Sequence, residues 1–454
     1  MHETITRQRT FFSTDVTKDV AFRVTQLERL HRVIRDNEEA LCDAIYADFG
    51  KSPYETYITE LTLFYHEVKL AIRKLKSWSK PKRVRTGLVN FPAHSYIQPE
   101  PLGTVLIIGA WNYPYQITLL PLVSALAAGN TVVIKPSELP SRTAKTLADV
   151  IGSAFAPEEV CVVQGGIDVT TSLLEQRWDK IFFTGSTRVG RVVYAAAARH
   201  LTPVTLELGG KSPAIVLSDC DVAMTAKRMV WAKFLNAGQT CVAPDYVLIE
   251  RPVYDRVVAA IKKEMEKYPQ HVSEMGEHYL RIINEGHTER LAKLIDPSKV
   301  TFGGVVDRAE RFVSPTLLED VRWDDAVMQD EIFGPILPVF PFDDLDQEIQ
   351  RIKTGPKPLS LYVYGKDQRR IDQILQRISF GGGCVNDSNM HLSNSCLPFG
   401  GVGDSGTGSY HGEHGFKNFS HMKSILHKPF WLETPIKYMP YSNLKRKLIK
   451  FLVE

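Results

Sequence analysis

From residue 104 onward, short apolar segments alternate with segments of helical character, and this alternation restricts the fold more than any other feature of the sequence. It predicts parallel strands joined by helices that cover the sheet, as in a Rossmann-like, doubly wound unit. The predicted helix over 116–128 ends at Gly129, and the one over 188–200 follows a Gly-Ser-Thr turn that supplies capping residues. The predicted strands are 104–109, 131–134, 160–164, 180–184 and 204–206.

A second αβ series begins after Gly209 and Gly210, with strands near 214–217, 246–249, 337–340 and 359–364. Since 454 residues are too many for one hydrophobic core, two or three domains are expected. We therefore predict a first domain over 1–80 and 102–208, with the first 80 residues largely helical, and a second α/β domain over 209–410.

Two segments do not fit this βα pattern. Residues 81–101 are rich in Pro, Arg and β-formers, and with 420–435 they are a candidate small β oligomerisation arm. Residues 436–454 are predicted to end in a tail helix, in which Leu444, Leu448, Phe451 and Leu452 recur at helical spacing among Lys and Arg residues. This helix packs on the body of the protein or touches an anionic membrane surface, and we favour packing because one short basic helix binds membranes weakly.

Composition excludes several classes of protein. The 55 basic and 52 acidic residues give a net charge of +3, which provides no strong field for nucleic acid. The six cysteines form no C-x-x-C pair and no Cys/His cluster, so neither a disulfide scaffold nor a metal site is expected. The first residues lack the apolar run of a secretory signal, and no run of about 18 apolar residues marks a membrane span. We predict a cytoplasmic protein without a transmembrane segment.

The segment GAWNYP at 109–114 is the first of six motifs that could carry chemistry. It follows a predicted strand and places Asn112 between Trp111 and Tyr113. The N–H groups of an Asn side chain can stabilise a developing oxyanion. An Asn after a strand also serves in an ordinary turn, so the motif alone leaves both interpretations open.

Two further motifs follow predicted strands whose carboxyl ends would face a nucleotide in an open α/β sheet. In VVIKPSE, Lys135 and Glu138 suit a ribose, although they also suit a solvated pair of loop charges. In FFTGSTRVG, Gly185 and Ser186 precede a helix, and free N–H groups at its start can meet a pyrophosphate. A plain βα turn uses the same residues.

The other three motifs contain the reactive side chains. LELGGK ends a strand with Glu207, which is either a solvent-facing glutamate or an acid whose pKa burial raises so that it can act as a general base. FLNAGQTCVAP places Cys241 in a loop of small polar residues, which favours a reactive thiol over a core cysteine. EIFGP places Glu331 and Phe333 before a Gly-Pro turn that opens an apolar strand.

In sequence order, WNYP, KPSE, FTGST-x-VG, ELGGK, Gly-Gln-x-Cys and EIFGP closely resemble the aldehyde dehydrogenase superfamily from about residue 100 to 405. The continuation CVAPDYVL and the segment PFGGVGDSGTG at 398–408 are most similar to its class 3 and fatty-aldehyde branch. The resemblance implies an NAD(P)-binding first domain, a catalytic second domain, NAD as cofactor with NADP also accepted, an aldehyde substrate and a homodimer.

The same resemblance implies roles for individual residues. Cys241 would be the nucleophile, Asn112 and the Cys241 backbone N–H the oxyanion donors, and Glu207 the general base. The implied cofactor contacts are Lys135 and Glu138 at the adenosine ribose, Gly185 and Ser186 near the pyrophosphate, Glu331 and Phe333 at the nicotinamide ribose and ring, and Trp111 nearby. Tyr113 would line the aldehyde tunnel.

These residues predict the oxidation of an aldehyde to a carboxylic acid through a thiohemiacetal and then a thioester on Cys241. Glu207 favours hydrolysis of that thioester, because related enzymes that pass the acyl group to coenzyme A commonly lack this glutamate. The alternatives are a coenzyme-A-acylating or semialdehyde-specific dehydrogenase of the same fold and a non-catalytic nucleotide-binding relative. Retention of all three of Cys241, Glu207 and Asn112 argues against the last of these.

Overall fold

The structure is a computed structural model that describes residues 2–276 and 278–453. Its N-terminal region is helical, as predicted. The helices are His2–Phe12, Val20–Asp36, Glu38–Phe49, Pro53–Thr56 and Thr62–Trp78, and the last two are joined by a π-helical turn, Tyr57–Leu61. His2–Phe12 packs against strands of the first of two large, mostly parallel sheets, and the longer helices pack against helices Gln116–Ala128 and Ser141–Ala154 of the same domain.

The first sheet has six strands in the order Gly406–Thr407, Val204–Glu207, Lys180–Thr184, Thr104–Ile108, Thr131–Lys135 and Val160–Val162. All but the short first strand run parallel. Numbered along the chain, the five parallel strands have the Rossmann order 3-2-1-4-5, so the predicted fold class is confirmed. The order reverses between Thr104–Ile108 and Lys180–Thr184. Ligands of open α/β sheets bind beyond the carboxyl ends of the strands at such a position, and we call this region the crevice.

The helices around this sheet are Gln116–Ala128, Ser141–Ala154, Ile167–Leu174 and Thr187–Ala198. Gln116–Ala128 is buried along its whole length and ends at Gly129, whose φ of 93° suits a glycine. Thr187–Ala198 begins one residue earlier than predicted, because the Ser186 side chain accepts a hydrogen bond from the backbone of Val189 and caps the helix.

The second sheet has seven strands in the order Val300–Phe302, Thr316–Leu318, Ile336–Phe342, Tyr246–Glu250, Pro213–Val216, Ser360–Tyr364 and Gly382–Val385. The four predicted strands are present and parallel to their neighbours, whereas the antiparallel edge strand Val300–Phe302 was not predicted. The larger helices of this domain are Val222–Phe234, Tyr254–Met265, Glu285–Leu294, Leu345–Thr354 and Gln368–Arg377, with a short helix at Ala326–Gln329. A small hairpin pairs Val306–Asp307 with Phe312–Val313.

After the second sheet the chain returns to the first. Gly406–Thr407 pairs with Leu206 and Glu207, inside the range predicted for the second domain. The following helix, Gly412–Asn418, packs against Gln116–Ala128, and the Asn130 amide donates to the carbonyl of Phe419 at 2.9 Å. The chain thus connects the two sheets twice, once after Glu207 and once where Gly406–Thr407 returns to pair with that strand.

The predicted β arm forms a three-stranded antiparallel sheet of Lys82–Val84, His94–Pro101 and Ser420–His427. The tail helix spans Asn443–Val453. The prediction was that this helix packs on the body of the protein. In the structure the helix contacts the short turn Leu88–Asn90, and Leu444 and Phe451 stay 68% and 84% exposed. Within the described ranges, no helix is long and apolar enough to cross a bilayer.

Candidate active site

The loop that carries Cys241, residues 235–241, has an unusual backbone. Asn236, Ala237 and Gly238 all have left-handed φ values, of 57°, 49° and 72°. Such a conformation costs about 1–3 kcal/mol for each residue other than glycine, and it persists only where the surroundings impose it. At Gly238 a Cβ atom would lie 2.3 Å from the carbonyl oxygen of Gly334, so only glycine fits. We call residues 235–241 the cysteine loop.

Asn112 is bound to this loop. It follows strand Thr104–Ile108, is 4% exposed, and donates from Nδ2 to the backbone carbonyl of Gln239 at 3.1 Å. Asn236 donates to the same carbonyl at 3.1 Å and to the carbonyl of Asn112 at 3.0 Å. A side-chain amide has two N–H donors. The structure therefore brings Asn112 to the cysteine loop, and the second N–H of its amide has no acceptor among the described residues.

The Cys241 thiol lies in an environment that opposes its ionisation. Burial raises its pKa to about 12, and the carboxylates of Glu331 and Glu207 add to this shift. The backbone amides of Cys241 and Val242 act in the opposite direction, since they stabilise the thiolate. The thiol is consequently protonated at neutral pH in this state, and ionisation requires a change in the charge around it.

Glu207 is the last residue of strand Val204–Glu207 and is 4% exposed. Neither of its buried carboxylate oxygens has a hydrogen-bond partner among the residues that the structure describes. Burial raises the pKa of Glu207 well above its usual value. The solvent-facing alternative for this glutamate is therefore wrong, and the arrangement matches an acid whose proton affinity is raised for base chemistry.

Glu331 is the second carboxylate beside the thiol. Its side chain packs directly on Gly209, where a Cβ would lie 1.9 Å from Oε2, and it accepts a backbone hydrogen bond from Gly210. Burial and the charge of Asp245 raise the pKa of Glu331 to about 8. Its Oε1 atom is buried and unpartnered within the described part of the chain, which leaves an acceptor for a ligand hydroxyl.

Two aromatic residues that the sequence predicted at the cofactor meet near Glu331. The Phe333 and Trp111 ring centroids are 5.2 Å apart in an edge-to-face arrangement, and Phe333 has a left-handed φ of 48°. Trp111 also contacts the His287 ring at 5.2 Å. The WNYP and EIFGP segments thus share one wall of the crevice.

The remaining predicted cofactor residues lie at the carboxyl edge of the first sheet. Lys135 is almost fully buried and pairs with the 43% exposed Glu138 at 2.7 Å. Partial burial acts to raise the pKa of Glu138, but the hydrogen bond from Lys135, the Glu138 backbone N–H and the Lys135 charge together outweigh it, and the pKa is lowered. The Gly185 backbone N–H donates to the Glu207 carbonyl at 3.0 Å, and the Ser186 hydroxyl is used as a helix cap.

The sequence interpretation did not predict the contacts by which Tyr113 and Gln239 hold the cysteine loop. The Tyr113 hydroxyl hydrogen-bonds to Thr240 Oγ1 at 2.6 Å, so the residue predicted in the tunnel supports the loop next to Cys241. Gln239 anchors the loop to the chain near Ile283 at 3.0 Å. The run GQT in the cysteine motif is the signal that could have indicated these contacts.

The two sheets meet at the cysteine loop, and the first sheet has the strand order of nucleotide-binding folds. These features place the chain among the α/β oxidoreductases that contain a reactive cysteine. The sequence profile of the aldehyde dehydrogenase family matches residues 7–425. The chain belongs to this family, and it oxidises aldehydes to carboxylic acids. The predicted resemblance is confirmed, and proteins named as family 3 members are 41–44% identical to this chain.

Individual relatives match over nearly their whole length. The 4,4'-diaponeurosporen-aldehyde dehydrogenase of Staphylococcus aureus is 44% identical over 444 residues, which cover 97% of this chain and 96% of that protein. The dimeric, NADP-preferring aldehyde dehydrogenase of Canis lupus familiaris is 42% identical over 435 residues and 96% of both chains. A solved structure described as the substrate-bound state of Staphylococcus aureus AldH superposes with a TM-score of 0.97 at 43% identity, covering 100% of this chain and 99% of that one.

Proposed function

We propose that this enzyme oxidises its aldehyde through a thioester on Cys241, with Asn112 as oxyanion donor and Glu207 as the base for hydrolysis. The observation that carries the proposal is the convergence of three segments at one crevice. Asn112 is hydrogen-bonded to the cysteine loop, and the carboxylates of Glu207 and Glu331 are close enough to raise the Cys241 pKa. The catalytic side chains come from both sheets, which agrees with a first domain that binds cofactor and a second that carries the nucleophile.

The first half of the reaction is attack of the Cys241 thiolate on the aldehyde carbon. The C–S bond forms as the carbonyl electron pair moves to oxygen, which then carries the negative charge. The free donor of Asn112 and the Cys241 backbone N–H stabilise that charge, and such a donor elsewhere contributes about 3–4 kcal/mol. When bound, the nicotinamide cofactor supplies the acceptor for the hydride that leaves this carbon.

The second half is hydrolysis of the resulting thioester. Glu207 in its ionised form accepts a proton from water, and the hydroxide equivalent attacks the acyl carbon while the thiolate leaves. The buried, unpartnered carboxylate of Glu207 supports this role, since both its oxygens are available to an incoming water. Coenzyme A dependence of turnover would instead indicate the acylating alternative.

The cofactor is proposed to lie across the carboxyl edge of the first sheet. Lys135 and Glu138 provide a donor and an acceptor for the adenosine ribose, and the start of helix Thr187–Ala198 faces the pyrophosphate. Val189 and Val192 on this helix are 37% and 60% exposed, an apolar surface that suits a flat base. We propose NAD as the cofactor, with NADP also accepted, as the name of the canine relative indicates for that protein.

Glu138→Gln is expected to shift the ratio of NADP to NAD efficiency toward NADP several-fold. The carboxylate near the ribose repels a 2′-phosphate, and a partly screened charge contributes about 1 kcal/mol. Initial rates with each cofactor at fixed aldehyde measure the ratio. The control is Asp149→Asn, which removes a carboxylate from an exposed lysine pair of the same domain, away from the proposed ribose site. No shift, or a shift toward NAD, would show that Glu138 does not face the ribose.

The arm is proposed to join two copies into a homodimer. Its outer strands, Lys82–Val84 and Ser420–His427, are edges of a small sheet with Met422 and Leu426 partly exposed. Exposed strand edges favour pairing with another chain. Sedimentation at micromolar protein should give a particle about twice the 51.2 kDa chain mass, and a 51.2 kDa particle would contradict the proposal.

We propose a cytoplasmic location. All six cysteines are free in the structure, which suits a reducing compartment. Fractionation of cells that express the full chain tests the location, and recovery of activity in the membrane pellet would contradict it. In that case the exposed basic tail helix would become the first candidate for a peripheral membrane contact.

A further inference from the structure

Three charged side chains from the N-terminal helical region lie directly behind the cysteine loop, of which Lys51 and Glu60 are buried and Glu55 is half-buried. Lys51 and Glu60 have no exposed surface, and their ion pair joins Nζ to Oε1 at 2.7 Å. Glu55 lies one turn before Glu60 and also faces inward. Replacing a buried ion pair by apolar residues is often neutral or stabilising, so stability alone gives little reason to place charges here.

The π-helical turn Tyr57–Leu61 explains how two glutamates five positions apart face the same way. In a regular α-helix, residues i and i+5 point in clearly different directions, whereas the wider π turn brings them closer to one face. Single π turns inside α-helices occur frequently at functional sites. Here the turn directs Glu55 and Glu60 toward the two segments that carry the proposed oxyanion donors.

Each glutamate holds one of these segments through its backbone. Glu60 Oε2 accepts from the amides of Tyr115 and Gln116 at 2.8 and 3.3 Å, at the end of the segment that contains Asn112. Glu55 Oε1 accepts from the amide of Asn236 at 2.8 Å, where the left-handed part of the cysteine loop begins. Two carboxylates on one continuous helix therefore hold both segments, in addition to the direct hydrogen bonds between Asn112 and the cysteine loop.

Lys51 links the carboxylates to the same two segments. Besides its pair with Glu60, its ammonium lies 4.2 Å from the centroid of the Tyr113 ring. The hydroxyl of that tyrosine hydrogen-bonds to Thr240, the residue before Cys241. Burial raises the pKa of Glu55, and the charge of Lys51 and the Asn236 hydrogen bond oppose this shift.

We propose that Glu55 and Glu60, with Lys51 as their common cation, are positioning residues that fix the Asn112 amide and the Cys241 backbone N–H at the separation required by the oxyanion. This inference rests on the proposed function, because it assumes that these two groups stabilise the tetrahedral intermediate. The three residues touch neither substrate nor reacting atoms. A displacement of about 1 Å at such a site can reduce the rate about 100-fold, which sets the scale of the expected effect.

The test compares three substitutions of Glu55 by rapid mixing with aldehyde and NAD. Glu55→Ala removes the acceptor for the Asn236 amide, Glu55→Asp withdraws the carboxylate by one CH₂, and Glu55→Gln keeps an oxygen in place. The burst rate constant for reduced cofactor should fall about 10- to 100-fold in Glu55→Ala and Glu55→Asp and stay within about 3-fold of wild type in Glu55→Gln. The dissociation constant for NAD should not change.

Only folded, active molecules contribute to the burst of reduced cofactor. A loss of folded protein therefore lowers the burst amplitude and leaves the burst rate constant unchanged. The matched control is Glu159→Ala, which removes a buried carboxylate bound to Gln26, Arg29 and the Ala156 amide in the same domain. It should lower the Tm without slowing the burst. An unchanged burst rate constant in Glu55→Asp, or equal slowing by Glu159→Ala, would overturn the proposal.

A double-mutant cycle separates this inference from the proposed function. Asn112→Ala alone should slow the burst, and adding Glu55→Ala to it should cost less than about 3-fold more, because Glu55 fixes the separation between two donors and one of them is then absent. Equal costs of Glu55→Ala in the two backgrounds would overturn the positioning role and leave the oxyanion assignment intact. A wild-type burst in Asn112→Ala would overturn both.

Discussion

Cys241→Ala should abolish aldehyde-dependent turnover while the dissociation constant for NAD stays nearly unchanged. The thiol forms the covalent bond to the substrate carbon, and loss of a nucleophile that acts with its partners costs on the order of 10⁴-fold or more in rate. The cofactor is proposed to contact Lys135, Glu138 and Glu331 and owes little binding to the sulfur. Steady-state rates and a fluorescence titration with NAD on one preparation measure both quantities.

Cys220→Ala is the matched control for this substitution. Cys220 is a free cysteine of similar partial exposure in the same domain, and it lies at the turn before helix Val222–Phe234. Its replacement should leave turnover within about 2-fold of wild type, as is usual for a substitution outside a functional site. Substantial activity in Cys241→Ala, or an equal loss in both variants, would contradict the assignment of the nucleophile.

Glu207→Gln should still transfer one hydride per active site and then stall at the thioester. The amide keeps the size of the side chain but cannot accept the proton from the deacylating water. General-base assistance is typically worth about 10²–10⁴ in rate, and the steady-state loss should fall in this range. A burst of at most about one reduced cofactor per site followed by slow turnover is the expected trace. Turnover near that of wild type would refute the role.

The raised pKa of Glu207 also determines the sign of the pH dependence. Burial raises the pKa of this carboxyl, and only its ionised form accepts a proton. Hydrolysis of the isolated acyl-enzyme should therefore accelerate as pH rises toward the raised pKa, and Glu207→Gln should lose this part of the profile. The same stall in Glu331→Gln but not in Glu207→Gln would move the role to Glu331, the other carboxylate beside the thiol.

Strands Thr104–Ile108 and Thr131–Lys135 of the first sheet were predictable because each is a mainly apolar, β-branched run that is buried on both faces. Some of the strands at the edges of the two sheets could not be predicted from the sequence. Gly382–Val385 begins with two glycines that are typical of a turn, and its pairing with Ser360–Tyr364 stabilises it as a strand. Gly406–Thr407 is likewise a strand only because it pairs with Leu206 and Glu207, about 200 residues earlier in the chain.

The residues of the candidate site likewise include some that the sequence indicates and others that it does not. Cys241, Asn112 and Glu207 stand out because their types and local motifs bear directly on the chemistry. Glu55 and Glu60 do not, since charged residues on a helix usually face solvent. Their partners Asn236 and Tyr115 lie 181 and 55 residues away in sequence, so their burial follows from tertiary packing.

The environment of the thiol was also hidden from the sequence. A reactive cysteine needs nearby groups that favour its ionisation, whereas burial and two carboxylates raise the Cys241 pKa in this structure. This effect depends on Glu207 and Glu331, which come from different segments and meet only in the folded protein. When bound, a cationic nicotinamide ring would have the sign of charge that favours the thiolate.

The thioester on Cys241 is the central claim, and mass spectrometry of acid-quenched Glu207→Gln tests it most directly. After mixing with aldehyde and NAD, the intact protein should gain the mass of one acyl group, and peptide mapping should place that group on Cys241. Its amount should match the burst of reduced cofactor. A full burst without an adduct, or an adduct on another residue, would contradict the account.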